Sequence, residues 1–354
     1  MALSLVLLFM SCLLLSFFEE RIKHSDKIIL YVLLGLSMIF IAGLRAVGST
    51  PDTESYELMY YEKSNVLVAK ATEPTFELIA SFLRSMSLGV NALFFAYAII
   101  SVPIHLVAFW KFSKIPFITM TIYVSYYFLM HEMVQIRAGV AAGLFLLAIY
   151  YYVEKRKVMA LMFILLGITF HYSAAAGLVI FFLKDNFPKW QKILLSAIVP
   201  IGLVVYFSRV DLSLLIPEEI IGTKMAMYRE MRDKGIEEEQ AGWPLEKNFL
   251  IWMNFVLYYA SIYYSDYLMK HCKYVNVSIK ILAVGFIFLL YLNGVSKVLG
   301  NRMNDYFSVV TIILWTASIY AFAPRILSKI ISNAISTIRF VASMVAYALS
   351  LLWM

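Results

Sequence analysis

Seven polar residues in a mostly apolar chain are of the types that acid–base and anion chemistry require: Arg45, Asp52, Glu73, Gln135, Arg137, His171 and Arg302. Three of them are arginines. Guanidinium binds phosphate through two parallel N–H bonds and keeps its charge in apolar surroundings, so the set points to an anion. Asp52 and His171 are each able to take a proton from an attacking hydroxyl. Glu73 is able to orient such a base, to act as one, or to hold sugar hydroxyls. The sequence leaves the base open among Asp52, Glu73 and His171. Arg137 is the most pointed residue, because it stands one turn into an apolar run, in His131-Glu132-Met133-Val134-Gln135-Ile136-Arg137. Its structural alternative is an arginine that snorkels to an interface with Glu132 as its partner. The other residues have plain alternatives too: a loop charge for Arg45, an interhelical hydrogen bonder for His171, and solvated carboxylates for Asp52 and Glu73.

Missing patterns narrow the chemistry. The chain has no phosphate-binding P-loop, no Gly-rich dinucleotide fingerprint and no zinc-protease helix motif. It also lacks the Asp-x-Asp pair that holds a divalent metal for a nucleotide-sugar. A transferred group would therefore not come from a soluble nucleotide, and no metal or other cofactor is expected.

The elements that must position these residues are membrane helices. Of the 354 residues, 62% are hydrophobic and 15% charged, against about 25% charged in an ordinary soluble domain. Residues 2–18 carry no charge. Blocks of this kind, about 20 residues long, match a hydrocarbon core of about 30 Å. The expected fold is an all-α polytopic membrane protein, a single integral-membrane domain over residues 1–354 with about twelve transmembrane helices (ten to thirteen). The spans read 2–18, 27–44, 90–110, 116–130, 134–153, 157–170, 173–183, 191–208, 248–266, 278–296, 303–322 and 333–353. Those at 157–170 and 173–183 are short for a full crossing and could form a tilted or broken pair. The first block lacks a positive leading region and a small-residue cleavage site, so it reads as a retained helix.

Sixteen lysines and arginines, among them Lys111, Lys155, Lys184, Lys280 and Lys329, fall in one alternating set of short loops. That set marks the cytoplasmic face and places both termini outside. The net charge of +7 and pI near 9.1 then read as topogenic charge beside anionic lipid, with no nucleic-acid partner. Two outer segments are long. Residues 75–88 read as an amphipathic helix on the outer interface, with Phe76, Ile79, Leu83 and Met86 along one side. Residues 209–247 form a long outer loop of mixed charge. Tyrosine clusters such as Tyr123, Tyr126 and Tyr127 read mainly as interface belts. Cys12 and Cys272 indicate neither a disulfide framework nor a metal site. All seven polar residues fall at outer helix ends, where packing is able to gather them around one outward-facing cavity.

The ordered residues resemble a known group. Arg45, Gly48, Asp52 and Tyr56 look like the first outer loop of the EpsG-type and O-antigen polymerase (Wzy-like) proteins. Glu73-Pro74-Thr75-Phe76 is similar to their Glu-Pro-x-Phe segment, Gln135-x-Arg137 to their Gln-x-Arg helix start, and Phe170-His171-Tyr172-Ser173 to their Phe-His-x-Ser. Asn301-Arg302 through Tyr306-Phe307 resembles their late Arg-x-x-x-Tyr-Phe. Ala138 departs from the pattern, where a polar residue is expected. The resemblance implies a bacterial inner-membrane polysaccharide polymerase, a glycosyltransferase acting on undecaprenyl-pyrophosphate-linked oligosaccharides at the periplasmic face. Arg45, Arg137 and Arg302, with Gln135 and Tyr56, would bind pyrophosphate and sugar; Asp52, His171 and Glu73 would carry the catalysis. A flippase and a chain-length regulator are the implied partners. A transporter of lipid-linked sugars and an O-antigen ligase are the alternatives.

Overall fold

The computed structural model describes residues 1–50, 52–61, 73–208, 244–294, 296–321 and 325–352. The long loop expected at 209–247 lies outside them except for Pro244–Lys247. Among the described residues all regular structure is helical. In chain order the helices are α1 (Ala2–Phe18), α2 (His24–Gly43), α3 (Thr53–Tyr61), α4 (Pro74–Ser85), α5 (Val90–Phe112), α6 (Pro116–Val124), a π-helical segment (Phe128–Val134), α7 (Ile136–Val153) and α8 (Lys157–Phe170). A 3₁₀ stretch (Tyr172–Phe182) follows. Then come α9 (Lys189–Ser208), α10 (Phe249–Tyr263), α11 (Ser265–Leu268), α12 (Val275–Tyr291), α13 (Lys297–Ser308), α14 (Thr311–Ser318) and α15 (Arg325–Leu352).

This is a membrane protein. The helices α2, α5, α7, α9 and the stretch Leu327–Leu349 of α15 are long and apolar enough to cross a bilayer, and α1, α8, α10, α12 and Tyr172–Phe182 are shorter apolar helices. Large apolar side chains such as Ile29, Leu33, Phe40, Ile193 and Val204 are exposed, which suits a surface turned to lipid. Two expected spans are broken. The 116–130 span ends as α6 at Val124 and resumes as the π-helical segment, and the 303–322 span is divided between α13 and α14. The pair at 157–183 is short in rise. The 14-residue α8 spans about 21 Å at 1.5 Å per residue, and the 11-residue 3₁₀ stretch about 22 Å at 2.0 Å per residue.

The chain divides into two compact units, Met1–Val179 with Trp315–Met354, and Ile180–Leu314. In the first, α5 and α7 run parallel, with Phe112 against Tyr150 at 6.0 Å. Helix α8 returns antiparallel to α7, with Phe163 stacked on Tyr151 at 5.3 Å. The ends of α2, α5, α7 and α8 near Gly43, Val90, Ile136 and Phe170 thus lie together. Helix α4 closes over them. Its apolar face, Phe76, Ala80 and Leu83, is buried with Tyr56, Tyr60, Phe94 and Tyr97 in one cluster. The inward face expected for lipid therefore packs on protein, and Met86 is exposed. On the outer side Arg84 pairs with Glu77 at 2.6 Å. In the second unit α9 packs on its neighbours through tyrosine hydroxyls: Tyr258 donates to the Leu195 carbonyl at 3.0 Å and Tyr291 to that of Ile198 at 2.9 Å.

Candidate functional site

Glu73 is the centre of the site. Pro74 opens α4 because its fixed φ suits a first helical position where no N–H is needed. The residue before it, Glu73, keeps extended backbone, φ −71° and ψ 150°, and its side chain is buried. One carboxylate oxygen, Oε1, lies 2.8 Å from Nδ1 of His171 and 3.4 Å from the Tyr172 N–H. The other, Oε2, accepts from Nη1 of Arg137. His171 caps α8 in extended backbone, its N–H bonded to the Gly167 carbonyl at 2.9 Å. Thr75 donates to the Thr169 carbonyl at 2.5 Å and so fixes the start of α4 to the end of α8. Burial alone would raise the Glu73 carboxyl. The His171 hydrogen bond and the Arg137 charge overcome it and draw its pKa down to about 2. The carboxylate therefore only accepts, so Nδ1 of His171 carries the proton of this bond, and in the neutral imidazole Nε2 is the acceptor nitrogen.

Two guanidiniums lie near Tyr56. Arg137, in the first turn of α7, sits 5.6 Å from the ring centres of both Tyr56 and Phe76 and hydrogen-bonds Tyr56. Its Nε has no partner among the described residues. Arg45 follows the end of α2. Its Nη1 donates to the Ala42 carbonyl and its Cζ lies 4.1 Å over the Phe94 ring. Arg45 is 3% exposed, yet Nε and Nη2 have no partner among the described residues. Burial lowers its pKa to about 10, which still leaves it charged at neutral pH. Tyr56 interacts electrostatically with both arginines, and burial raises its phenol. A buried N–H donor with nothing to bond costs about 1–3 kcal/mol, and these donors, unpartnered among the described residues, are able to take an anionic acceptor.

The loop that carries Arg45 is pinned at both ends. Gly48 has φ +76°, a left-handed conformation that costs glycine little, and its N–H bonds Thr53 Oγ1 at 2.9 Å. Thr50 donates to the Met133 carbonyl at 2.8 Å. Asp52 is half-buried at the start of α3, where its carbonyl accepts from Tyr56 N–H at 3.0 Å; its charge acts on Tyr56. Gln135 joins the π-helical segment to α7, half-buried, with its carbonyl accepting from Gly139 N–H at 2.8 Å. The structure thus brings Arg45, Tyr56, Glu73, Arg137 and His171 together, with Asp52 and Gln135 on adjoining turns. Arg302 belongs to the second unit, exposed on α13.

Glu132 is not the partner of Arg137. Its Oε1 accepts from Ser101 at 2.8 Å and Tyr123 at 2.5 Å, and lies 3.1 Å from His105 Nδ1. The wider turn is responsible: Gln135 N–H reaches the Met130 carbonyl, five residues back, at 2.8 Å, which turns His131 and Glu132 into the core. Gly139 permits it, since a Cβ there would sit 2.3 Å from the His131 carbonyl oxygen. A second unanticipated residue is Arg339. It is 2% exposed and lies 5.7 Å over Tyr127 and 5.9 Å over Trp315. The signal for both was present: a lone ionisable side chain in an apolar span is costly and seldom idle. Among the described residues no cluster of His, Cys, Asp and Glu could hold a metal ion.

Glu73 and His171 beside two arginines whose remaining donors have no partner among the described residues, at one end of a set of membrane helices, form an arrangement able to take an anion and to move a proton. The chain belongs to the EpsG family, whose model matches residues 28–353. That family is associated with polysaccharide-polymerase-like glycosyl transfer, in keeping with the residue patterns. No curated protein and no solved structure matches the chain.

Proposed function

We propose that this protein is a glycosyltransferase that lengthens bacterial polysaccharide by joining undecaprenyl-pyrophosphate-linked oligosaccharides on the periplasmic face of the inner membrane. The observation that carries the reading is the juxtaposition, around Tyr56, of the Glu73–His171 pair and two arginines whose remaining N–H donors have no partner among the described residues. Arg45 and Arg137 hold the pyrophosphate. His171 Nε2 takes the proton of the acceptor hydroxyl as its oxygen attacks the anomeric carbon. The bond from that carbon to the pyrophosphate oxygen breaks, and polyprenyl pyrophosphate leaves with the electron pair. The arginines stabilise the charge that grows on it. Glu73 orients the imidazole and stabilises its protonated form, while Asp52, Gln135 and Tyr56 contact the sugars and phosphates. Donor, acceptor and product all stay tethered to lipid, which suits a site at the end of membrane helices.

Purified full-length protein mixed with lipid-linked repeat units in detergent tests this. Stepwise lengthening that is lost in His171→Ala and Arg137→Ala supports it. Unchanged units overturn it in favour of a transporter, and transfer only to lipid A core overturns it in favour of a ligase.

A further inference from the structure

The second unit contains a cavity of about 410 Å³ that glycosyl transfer at Glu73 does not use. That size is within the range of about 300–1,000 Å³ common to ligand pockets. It lies where the Lys189 end of α9 and the Lys280 end of α12 stand apart. Leu194 and Ile198 form one wall and Ala283 and Ile287 the other, with Lys184 also lining it. Beyond it the two helices are held by the Tyr291 hydroxyl on the Ile198 carbonyl. The lining is almost wholly apolar, and its rim residues Phe182 and Trp190 are 84% and 62% exposed, so the gap opens on a surface suited to lipid. An unfilled gap forfeits the dispersion contacts of every atom that lines it; in a bilayer the filler at hand is an acyl chain.

Its polar end specifies more. Lys280 lines the cavity and is 6% exposed. Its ammonium has three donors, of which one goes to the Lys184 carbonyl at 2.5 Å and one to the Asn186 carbonyl at 2.6 Å. Asp185 acts on it electrostatically, but Lys184 and Lys189 leave this end net positive. A buried cation lining an apolar slot matches a phosphate that bears a hydrocarbon chain. We propose that the cavity binds one anionic glycerophospholipid, with its phosphate at Lys280 and Lys184 and one acyl chain along Leu194, Ile198, Ala283 and Ile287. A zwitterionic lipid lacks the net charge this end calls for. The inference is independent of the glycosyl-transfer reading.

Native mass spectrometry of the delipidated full-length protein, titrated with dioleoyl phosphatidylglycerol, dioleoyl phosphatidylcholine or a polyprenyl phosphate, tests it. One phosphatidylglycerol per chain should bind at least tenfold more tightly than phosphatidylcholine. Lys280→Met should cut that preference to within twofold. Val284→Trp, which fills the slot and leaves the lysine in place, should do the same and decides the matter if the lysine variant does not fold. Equal binding of the two phospholipids, or an unchanged preference in Val284→Trp, overturns the site. Polyprenyl phosphate displacing phosphatidylglycerol at equal concentration overturns the assignment to a glycerophospholipid.

Discussion

Nδ1 of His171 lies 2.8 Å from Oε1 of Glu73, a residue 98 positions earlier in the chain. The same carboxylate holds Arg137 through its other oxygen. One buried anion therefore sets both the tautomer of the histidine and the place of the arginine, and in the proposed mechanism it links the base to the pyrophosphate site.

Removing either member should show this coupling. His171→Ala is expected to lower chain lengthening at least about 100-fold, the usual worth of a positioned base. Glu73→Gln keeps the shape but withdraws the charge, so it should both slow turnover and weaken binding of the lipid-linked donor. Steady-state rates on purified variants with native elution profiles check this; a Glu73→Gln enzyme with unchanged rate and affinity contradicts the coupling.

Arg45 should trade stability for function. Its Nε and Nη2 are buried without partners among the described residues, a cost of about 1–3 kcal/mol per group. Arg45→Met fills a similar volume without that cost. It is expected to match or exceed the native melting temperature while donor binding falls tenfold or more. A variant that binds donor normally would remove Arg45 from the site.

The pH dependence of stability follows from Glu73. Its folded pKa of about 2 lies below the unfolded value of 4.5, so the folded state favours the ionised form. The contribution is fully present above pH 4.5 and is lost as pH falls toward 2, on the order of 3 kcal/mol in all. Thermal melts between pH 7 and pH 3 should decline less steeply in Glu73→Gln than in the native protein. Parallel curves would show that the carboxylate is not held by His171 and Arg137.

Gly139→Ala tests the π-helical segment. The new methyl would sit 2.3 Å from the His131 carbonyl oxygen, a main-chain atom. The π-helical segment and α7 must then move apart, at about 1–3 kcal/mol. A clear drop in melting temperature is expected, together with reduced activity, because Arg137 stands two residues before this contact. Native stability in this variant would contradict the close packing.

The sequence by itself determined what the bilayer and local geometry dictate. Apolar runs as long as the hydrocarbon core are short-range features that survive without knowledge of packing. The amphipathic period of 75–88 was equally legible, but not what its apolar face would meet, since Phe76 and Leu83 suit lipid and protein alike. The ordered residues around Arg45, Glu73, Arg137 and His171 also pointed to the family. Only the tertiary structure decided how those residues pair. Glu73 reaches His171 and Arg137 because α4 folds over the ends of α7 and α8, a closure across a long stretch of chain that no local pattern encodes. Glu132, the neighbour in sequence that looked like the partner of Arg137, is turned instead toward Ser101, Tyr123 and His105. The reason is the wider π turn, which changes the direction of a side chain without changing any residue type.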